Sequence, residues 1–383
     1  MKINNRLNKI SGYYFQKLDE IKSELIESGI NLVDLSIGDP DLPVDANIIK
    51  ALKDGINLKE FNKYPPYQGI KELKYQIIKY YEEVYSVHLK IDEVIILIGS
   101  KEGINNIIPA ICDIGDYAII PQPAYPVYET CCQLWGVRPY KISLIEKNSY
   151  LPCFGNIPQN VINKCKLMAL NYPNNPTGAI ATEEFYKEAI EFCNKNDIVL
   201  YNDGAYNEII KGNKNPLSIL NFDYKKQCIE FGTFSKTYSM TGFRIGYAVG
   251  NSKVIDALLK VKSNVDSGQF LPIQYAACEA LNLKRDFIMN IREIYDERRI
   301  LVEKKLMECG ISFYKPEGTF YIWCKVPKNF TTDEYCMGLL SKYGIIVTPG
   351  YNFGSMYNGH FRIALTKDVD IITEALDKIK KNI

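Results

Sequence analysis

The chain of 383 residues sets 46 Lys and Arg against 45 Asp and Glu, a formal net charge of +1 with both signs interspersed. No basic stripe calls for nucleic acid or for an anionic membrane surface. Hydrophobic residues make up 46% and charged residues 24%, the profile of an ordinary soluble protein with a large core and roughly two to three domains.

Met1 to Ile10 has no apolar core and does not read as a secretory signal. A turn follows at Gly38-Asp39-Pro40-Asp41. Val94 to Ile98 reads as a buried strand, and Glu102 to Cys112 as the helix after it. Further strands are predicted at Tyr117–Ile120, Leu167–Leu170, Ile198–Tyr201, Ile229–Phe231 and Ile245–Val249, with helical segments between them such as Glu183 to Asn194. Strands alternating with helices predict an α/β fold with a mostly parallel sheet, and uninterrupted apolar runs fit strands covered on both faces. From Gln274 to Cys309 the pattern is a long helical stretch, followed by strand candidates at Thr319–Val326 and Phe361–Leu365. This predicts a large domain over 45–273 and a smaller α+β domain built from 1–44 and 274–383.

Eleven cysteines show no C-x-x-C pair, and an odd count without framework spacing suits a reducing compartment. No apolar run approaches bilayer length, so a cytoplasmic protein is expected. With only His88 and His360 present, a histidine metal site or catalytic triad lacks parts, and no metal is expected.

The chemistry concentrates in the run Thr233 to Tyr247, T-F-S-K-T-Y-S-M-T-G-F-R-I-G-Y. The Ser235 hydroxyl stands beside Lys236, and Arg244 follows. A phosphate takes hydroxyl and guanidinium donors, and a Schiff base takes a lysine amine. One segment offering all three points to a cofactor with both a phosphate and an aldehyde, pyridoxal 5′-phosphate. Four more groups lie at predicted strand ends, where ligands bind in open α/β sheets. Ser100 and Lys101 open a helix, whose free N–H groups favour a phosphate; Ser100 also reads as a plain N-cap. Tyr125 sits in the proline-stiffened turn Pro121–Pro126, where a packing role is equally open. Asn175, in Asn174-Asn175-Pro176-Thr177-Gly178, also suits turn chemistry. Asp203 ends an apolar strand, where a carboxylate is costly unless paired, and a protonated pyridine nitrogen would pair it. Tyr206 follows three residues on.

The words S-K-T-Y-x-M-T-G-x-R-I-G-Y, N-P-T-G, D-G-A-Y and F-R-I-A-L resemble the signatures of the class I/II aminotransferases, pyridoxal-phosphate enzymes of fold type I. The likeness runs from about Asn31 to Leu365. It implies that Lys236 condenses with the cofactor aldehyde and then serves as proton carrier. It also implies that Asp203 faces the ring nitrogen, that Asn175 and Tyr206 bond the phenolic oxygen, and that Tyr125 stacks on the ring. Ser100, Lys101, Ser235 and Arg244 would form the phosphate cup. Arg362 would grip the substrate carboxylate, with Gly38 and Asn175 bordering the substrate and Tyr13 and Tyr14 lining its mouth. Tyr64, in Tyr64-Pro-Pro-Tyr-Gln-Gly69, resembles the tyrosine that reaches the phosphate of a neighbouring subunit, which implies a homodimer with shared sites. The expected reaction is ping-pong transfer of an amino group between an amino acid and a 2-oxo acid. The fold hosts lyases, cyclases and oxidases as well, and a non-catalytic sensor that binds the cofactor is the alternative from another class.

On the substrate, Asp34-Leu-Ser-Ile-Gly-Asp-Pro-Asp-Leu-Pro43, Ile98–Gly103 and Asn264–Phe270 look most like the LL-diaminopimelate aminotransferases. Alanine, aspartate, methionine and aromatic aminotransferases are the alternatives. The absence of arginine from Asn264–Phe270 speaks against a guanidinium there for a distal carboxylate.

Overall fold

A computed structural model describes residues 4–9, 22, 27, 29 and 31–380. The strands in chain order are β1 (Val33–Asp34), β2 (Val94–Leu97), β3 (Tyr117–Gln122), β4 (Arg138–Ser143), β5 (Cys165–Leu170), β6 (Val199–Asp203), β7 (Cys228–Thr233), β8 (Gly246–Gly250), β9 (Phe313–Tyr314), β10 (Tyr321–Lys325), β11 (Ile345–Ile346), β12 (Thr348–Pro349) and β13 (His360–Ala364). Seven of them form one sheet in the order β2-β8-β7-β6-β5-β3-β4. Strand β8 runs antiparallel to β2 and β7, and the other pairings are parallel.

Alternation along each strand explains why both faces are covered. Ile95 and Leu97 pack with helices Ser100–Ile111 and Ser252–Ser263 on one face. Val94 and Ile96 pack with helices Ala46–Ile56, Lys71–Tyr85 and Leu271–Asn282 on the other. Each such side chain contributes about 1.5–3 kcal/mol by leaving water. Strand β4 had no apolar run to announce it. It is one of the sheet's two outer strands, with a polar, partly exposed sequence, R-P-Y-K-I-S, and pairs only with β3.

A second, antiparallel sheet has the order β12-β13-β10-β9 and is backed by helices Arg285–Glu308, Thr332–Tyr343 and Val369–Lys380. The two-residue strand β1 pairs in parallel with β11, and Leu35 joins the same core. The residues just before the Gly38 turn thus pack with the C-terminal third. The predicted continuous helix over Gln274–Cys309 is two helices, Leu271–Asn282 and Arg285–Glu308. Leu283 and Lys284 between them take extended backbone angles, and no Gly or Pro marks that break in the sequence.

Candidate active site

Because β8 is antiparallel to its neighbours, its first residue, Gly246, lies opposite both Leu97 and Thr233. The ends of β2, β5, β6 and β7 and the start of β8 therefore share one edge of the sheet. That geometry gathers the turn at Gly99, the Asn171–Gly178 turn, Asp203 and the Ser235–Arg244 loop, segments far apart in sequence.

Asp203 is buried at the tip of β6. Its Oδ2 accepts a hydrogen bond from the Tyr128 hydroxyl at 2.7 Å. Its Oδ1 is buried and meets no hydrogen-bond partner in this structure. Burial pushes the carboxyl up to about 6, held back by Tyr128, the Ala205 N–H and the Lys236 charge. Asn171 Nδ2 donates to the Asp203 carbonyl at 2.8 Å, and Asn171 Oδ1 accepts from the Asn175 N–H at 2.9 Å. The ends of β5 and β6 are thereby locked together.

Lys236 Nζ donates to the Gly38 carbonyl at 2.7 Å. Burial lowers its pKa from the ordinary lysine value. Tyr321 and Asp39 oppose that shift, while the Arg362 and Arg244 charges reinforce it. A lysine poised toward its neutral form is a nucleophile and a base.

Around Ser235, Thr233 Oγ1 lies 3.0 Å from Ser235 Oγ and donates to the Ile245 carbonyl at 3.2 Å. Gly99 takes a left-handed φ of 74°, and a Cβ there would lie 2.8 Å from Arg244 Nη2. A Cβ on Gly246 would lie 2.6 Å from the Ser100 N. Two glycines thus let Arg244 and the helix start at Ser100 converge. Arg244 itself has a φ of 53°, and Gln269 Nε2 donates to the carbonyls of Phe243, at 3.0 Å, and of Arg244. Below the turn, the buried Lys262 ammonium bonds Glu102 and Asp266, and Glu102 in turn accepts from the Ile98 N–H.

Arg362 is buried in β13. Its Nη1 donates to Asn175 Oδ1 at 2.7 Å, and its Nη2 to the Ser36 carbonyl at 2.5 Å and to Thr348 Oγ1 at 3.4 Å. Its Nε is buried without a partner. Of the guanidinium's five N–H groups, the bonds to Asn175, Ser36 and Thr348 occupy three, and the cation itself suits a carboxylate partner. The guanidinium carbon lies 4.0 Å from the Tyr321 ring centre and 4.7 Å from that of Phe353. Tyr206 and Tyr321 share a hydrogen bond of 3.0 Å between hydroxyls.

The structure therefore brings Gly38, Asn175, Asp203, Tyr206, Lys236 and Arg362 into one connected cluster, with Ser100, Ser235 and Arg244 beside it. Tyr125 packs edge-on to Tyr128 at 6.0 Å. Lys101 is exposed on the first turn of its helix. Tyr64 is 82% exposed and belongs to no part of this cluster. Tyr13 and Tyr14 lie outside the described residues. Sequence reasoning passed over Tyr128, Asn171, Thr233, Gln269 and Tyr321. Of these, Tyr128 was within reach, since it lies just past the Pro121–Pro126 turn that holds Tyr125.

Residues 30–379 match the family described as aminotransferase class I and II. The chain belongs to the class I and II aminotransferases. Among its relatives is the LL-diaminopimelate aminotransferase of Natranaerobius thermophilus, 44% identical over 98% of both chains. The protein of the same name from Aquifex aeolicus is 42% identical over 98% of both. Among solved structures, substrate-bound BacF from Bacillus subtilis is 34% identical, with a TM-score of 0.95 over all of this chain and 98% of that one. An aspartate aminotransferase from Thermotoga maritima is 27% identical, with a TM-score of 0.92 over 99% of both chains. Membership sets aside the sensor reading: this is a pyridoxal 5′-phosphate enzyme of fold type I, acting on small amino and 2-oxo acids.

The cluster fits that cofactor. Asp203 Oδ1 is a buried acceptor in want of a donor, which a pyridinium N–H is. The Gly99–Arg244 contact makes a cationic cradle at a helix N-terminus, suited to a phosphate. The buried Lys236 amine feels the charges of both Asp203 and Arg244. Among the described residues no group of His, Cys, Asp or Glu is arranged to hold a metal ion.

Proposed function

We propose that this aminotransferase takes the amino group of LL-diaminopimelate and passes it to 2-oxoglutarate in a ping-pong cycle. The donor leaves as a 2-oxo acid and the acceptor as glutamate. The observation that carries the donor assignment is the 44% identity across 98% of both chains to a relative named for that reaction. The lack of arginine in the segment Asn264–Phe270, which packs by Gly268 against Pro65 and Tyr67, speaks against an aspartate-type site.

The residue roles are those the family resemblance implies, and for the described residues the geometry above supports them. Bound pyridoxal 5′-phosphate supplies an electron sink for charge developing at the donor Cα. Lys236 anchors the cofactor and then carries the proton at the donor Cα, a task its lowered pKa suits. The Asp203 carboxylate sits where its charge holds a ring nitrogen protonated. Tyr206 and Asn175 offer hydrogen bonds to the phenolic oxygen, Tyr125 an aromatic face, and Ser100, Lys101, Ser235 and Arg244 donors to the phosphate. Arg362 fixes the α-carboxylate, with Gly38 beside it and Tyr13 and Tyr14 at the mouth.

In this reading the chain divides into a large domain, 45–273, and a small one, 1–44 with 274–383. The pairing of β1 with β11 and the Arg362–Ser36 bond support it. The working unit is a homodimer in which Tyr64 completes the neighbouring site. All eleven cysteines are free and no helix among the described residues is long and apolar enough to cross a membrane, which supports a cytoplasmic enzyme.

The test is a screen of amino donors against 2-oxoglutarate, read as glutamate formed. Turnover of LL-diaminopimelate well above that of alanine, aspartate or tyrosine is expected. Efficient turnover of any of these without activity on LL-diaminopimelate would overturn the donor assignment.

A further inference from the structure

Tyr321 takes no part in the roles assigned so far, yet it touches three of the groups that carry them. Its ring centre lies 4.0 Å from the Arg362 guanidinium carbon. Its hydroxyl lies 3.0 Å from that of Tyr206. A Cβ on Gly38 would sit 1.7 Å from the same hydroxyl oxygen, so the Gly38 backbone, whose carbonyl receives Lys236, rests directly on it. The side chain is 3% exposed and has no freedom to turn away.

The register explains how one residue reaches so far. Trp323 is the partner of Arg362 across β10 and β13, and Tyr321, two residues before it, projects from the same face. A diagonal neighbour of this kind is within reach of a long side chain. A sheet position therefore sets the distance between the substrate-carboxylate group, Arg362, and the cofactor-facing group, Tyr206.

We propose that Tyr321 is a positioning residue that couples carboxylate binding at Arg362 to the hydrogen bonding of Tyr206. The ring does the first half. A cation held over an aromatic face away from water is confined by that contact, which keeps the plane of the Arg362 guanidinium in one orientation. The hydroxyl does the second half. Between two hydroxyls only one donates. If Tyr206 gives its proton to an oxygen of the cofactor, its own oxygen is left to accept from Tyr321. That acceptance polarises the Tyr206 O–H and strengthens its donation. The same hydroxyl fills the place a side chain at 38 would take, so the Gly38 carbonyl stays where Lys236 meets it.

The inference rests on the roles given above to Lys236, Tyr206 and Arg362, and not on the identity of the donor. Any amino acid that the holoenzyme turns over serves as probe. Failure to find LL-diaminopimelate turnover would fall on the substrate reading and leave this one standing.

Two substitutions separate the halves. Tyr321→Phe keeps the ring and removes the hydroxyl. It should hold KM for the amino donor within about twofold and lower kcat about tenfold, the scale of one lost hydrogen bond between neutral groups. The pH midpoint of the visible absorption of the lysine-bound cofactor should rise, because Tyr206 becomes a weaker donor to the phenolic oxygen. Tyr321→Leu removes the ring as well, and KM should rise about tenfold or more, the scale of a desolvated cation–aromatic contact. In the double variant with Tyr206→Phe, the Phe substitution at 321 should cost nothing further, because its effect passes through Tyr206. An absorption midpoint unmoved in Tyr321→Phe, or full additivity with Tyr206→Phe, would overturn the hydroxyl's part. An unchanged KM in Tyr321→Leu would overturn the ring's part. If the leucine variant fails to fold, the phenylalanine variant and the double variant still decide the coupling.

Discussion

The Tyr128 hydroxyl donates to one oxygen of Asp203 at 2.7 Å, while the other oxygen of the same carboxylate is buried with no hydrogen-bond partner. The helix that opens after Pro126 places Tyr128 there, and the edge-on contact of Tyr125 with it sets the tilt of the ring expected to stack on the cofactor.

A stability difference follows. Burial raises the Asp203 carboxyl from 3.8 to about 6, so the folded apoprotein binds a proton more tightly here than the unfolded chain does. The contribution of this group is greatest below pH 4 and is lost as the pH rises through 6. Asp203→Asn has no such titration. The stability of the wild-type apoprotein minus that of the variant should fall by about 2.4 kcal/mol between pH 4 and pH 7. Urea unfolding at both pH values measures it, and two variants whose curves run parallel would contradict the burial argument.

The phosphate cradle is tested by comparing two ligands. Arg244 offers its guanidinium to a phosphate and nothing to the ring. Arg244→Ala should weaken binding of pyridoxal 5′-phosphate by about 10- to 100-fold, the scale of one charge-assisted hydrogen bond, and leave binding of pyridoxal unchanged. Gly99→Ala should act in the same direction, because its Cβ would enter the space of Arg244 Nη2 and its φ of 74° is unfavourable for alanine. Fluorescence titration of each apoprotein with both ligands gives the answer. Equal losses for the two ligands would place Arg244 outside the phosphate site.

The order of strands and helices was legible because β2, β3, β5, β6, β7 and β8 are covered on both faces and so read as short apolar runs. Strand β4 was not, because its faces are only partly covered and carry polar residues, whereas β2 at the other edge is buried throughout. The ends of those strands held Asp203, Lys236 and Asn175, and words of fixed spacing named them. Tyr321 and Gln269 were hidden for a different reason. Their contacts cross from one segment to another, Tyr321 to Arg362 and Gln269 to Arg244, and no local spacing encodes a contact between segments. The break at Leu283–Lys284 had no sequence signal either, since neither residue is a helix breaker.

Arg362 provides the third prediction. Its bonds to Asn175, Ser36 and Thr348 depend on a planar guanidinium. Lysine at this position brings a charge without the fork. Arg362→Lys should raise KM for the amino donor by about 30-fold or more, the scale of about 2 kcal/mol for disrupting a buried charged contact. The visible spectrum of the lysine-bound cofactor should be kept. Steady-state kinetics with absorbance in parallel checks both, and a variant that loses cofactor while KM holds would move Arg362 to the cofactor side of the site.

Tyr64 carries the last. It is 82% exposed, and near it Val265 and Phe270 are 62% and 43% exposed, on a segment that meets Pro65 and Tyr67 through Gly268. Grouped exposed apolar side chains of this kind mark an interface. A twofold dimer would place the same patch of each subunit against its partner, and Tyr64 of one chain would then serve the Lys236 of the other. Hybrid dimers test this directly. Tyr64→Ala and Lys236→Ala chains should each be nearly inactive alone, the latter by about 10³-fold or more because its base is gone. Unfolded together and refolded, they form mixed dimers with one site that has Lys236 from one chain and Tyr64 from the other, and a second site with neither. Activity should therefore return to about a quarter of the wild-type value, half of the dimers being mixed and each holding one sound site of two. A mixture no more active than the sum of its parents, with dimers present by sedimentation, would confine Tyr64 to its own subunit.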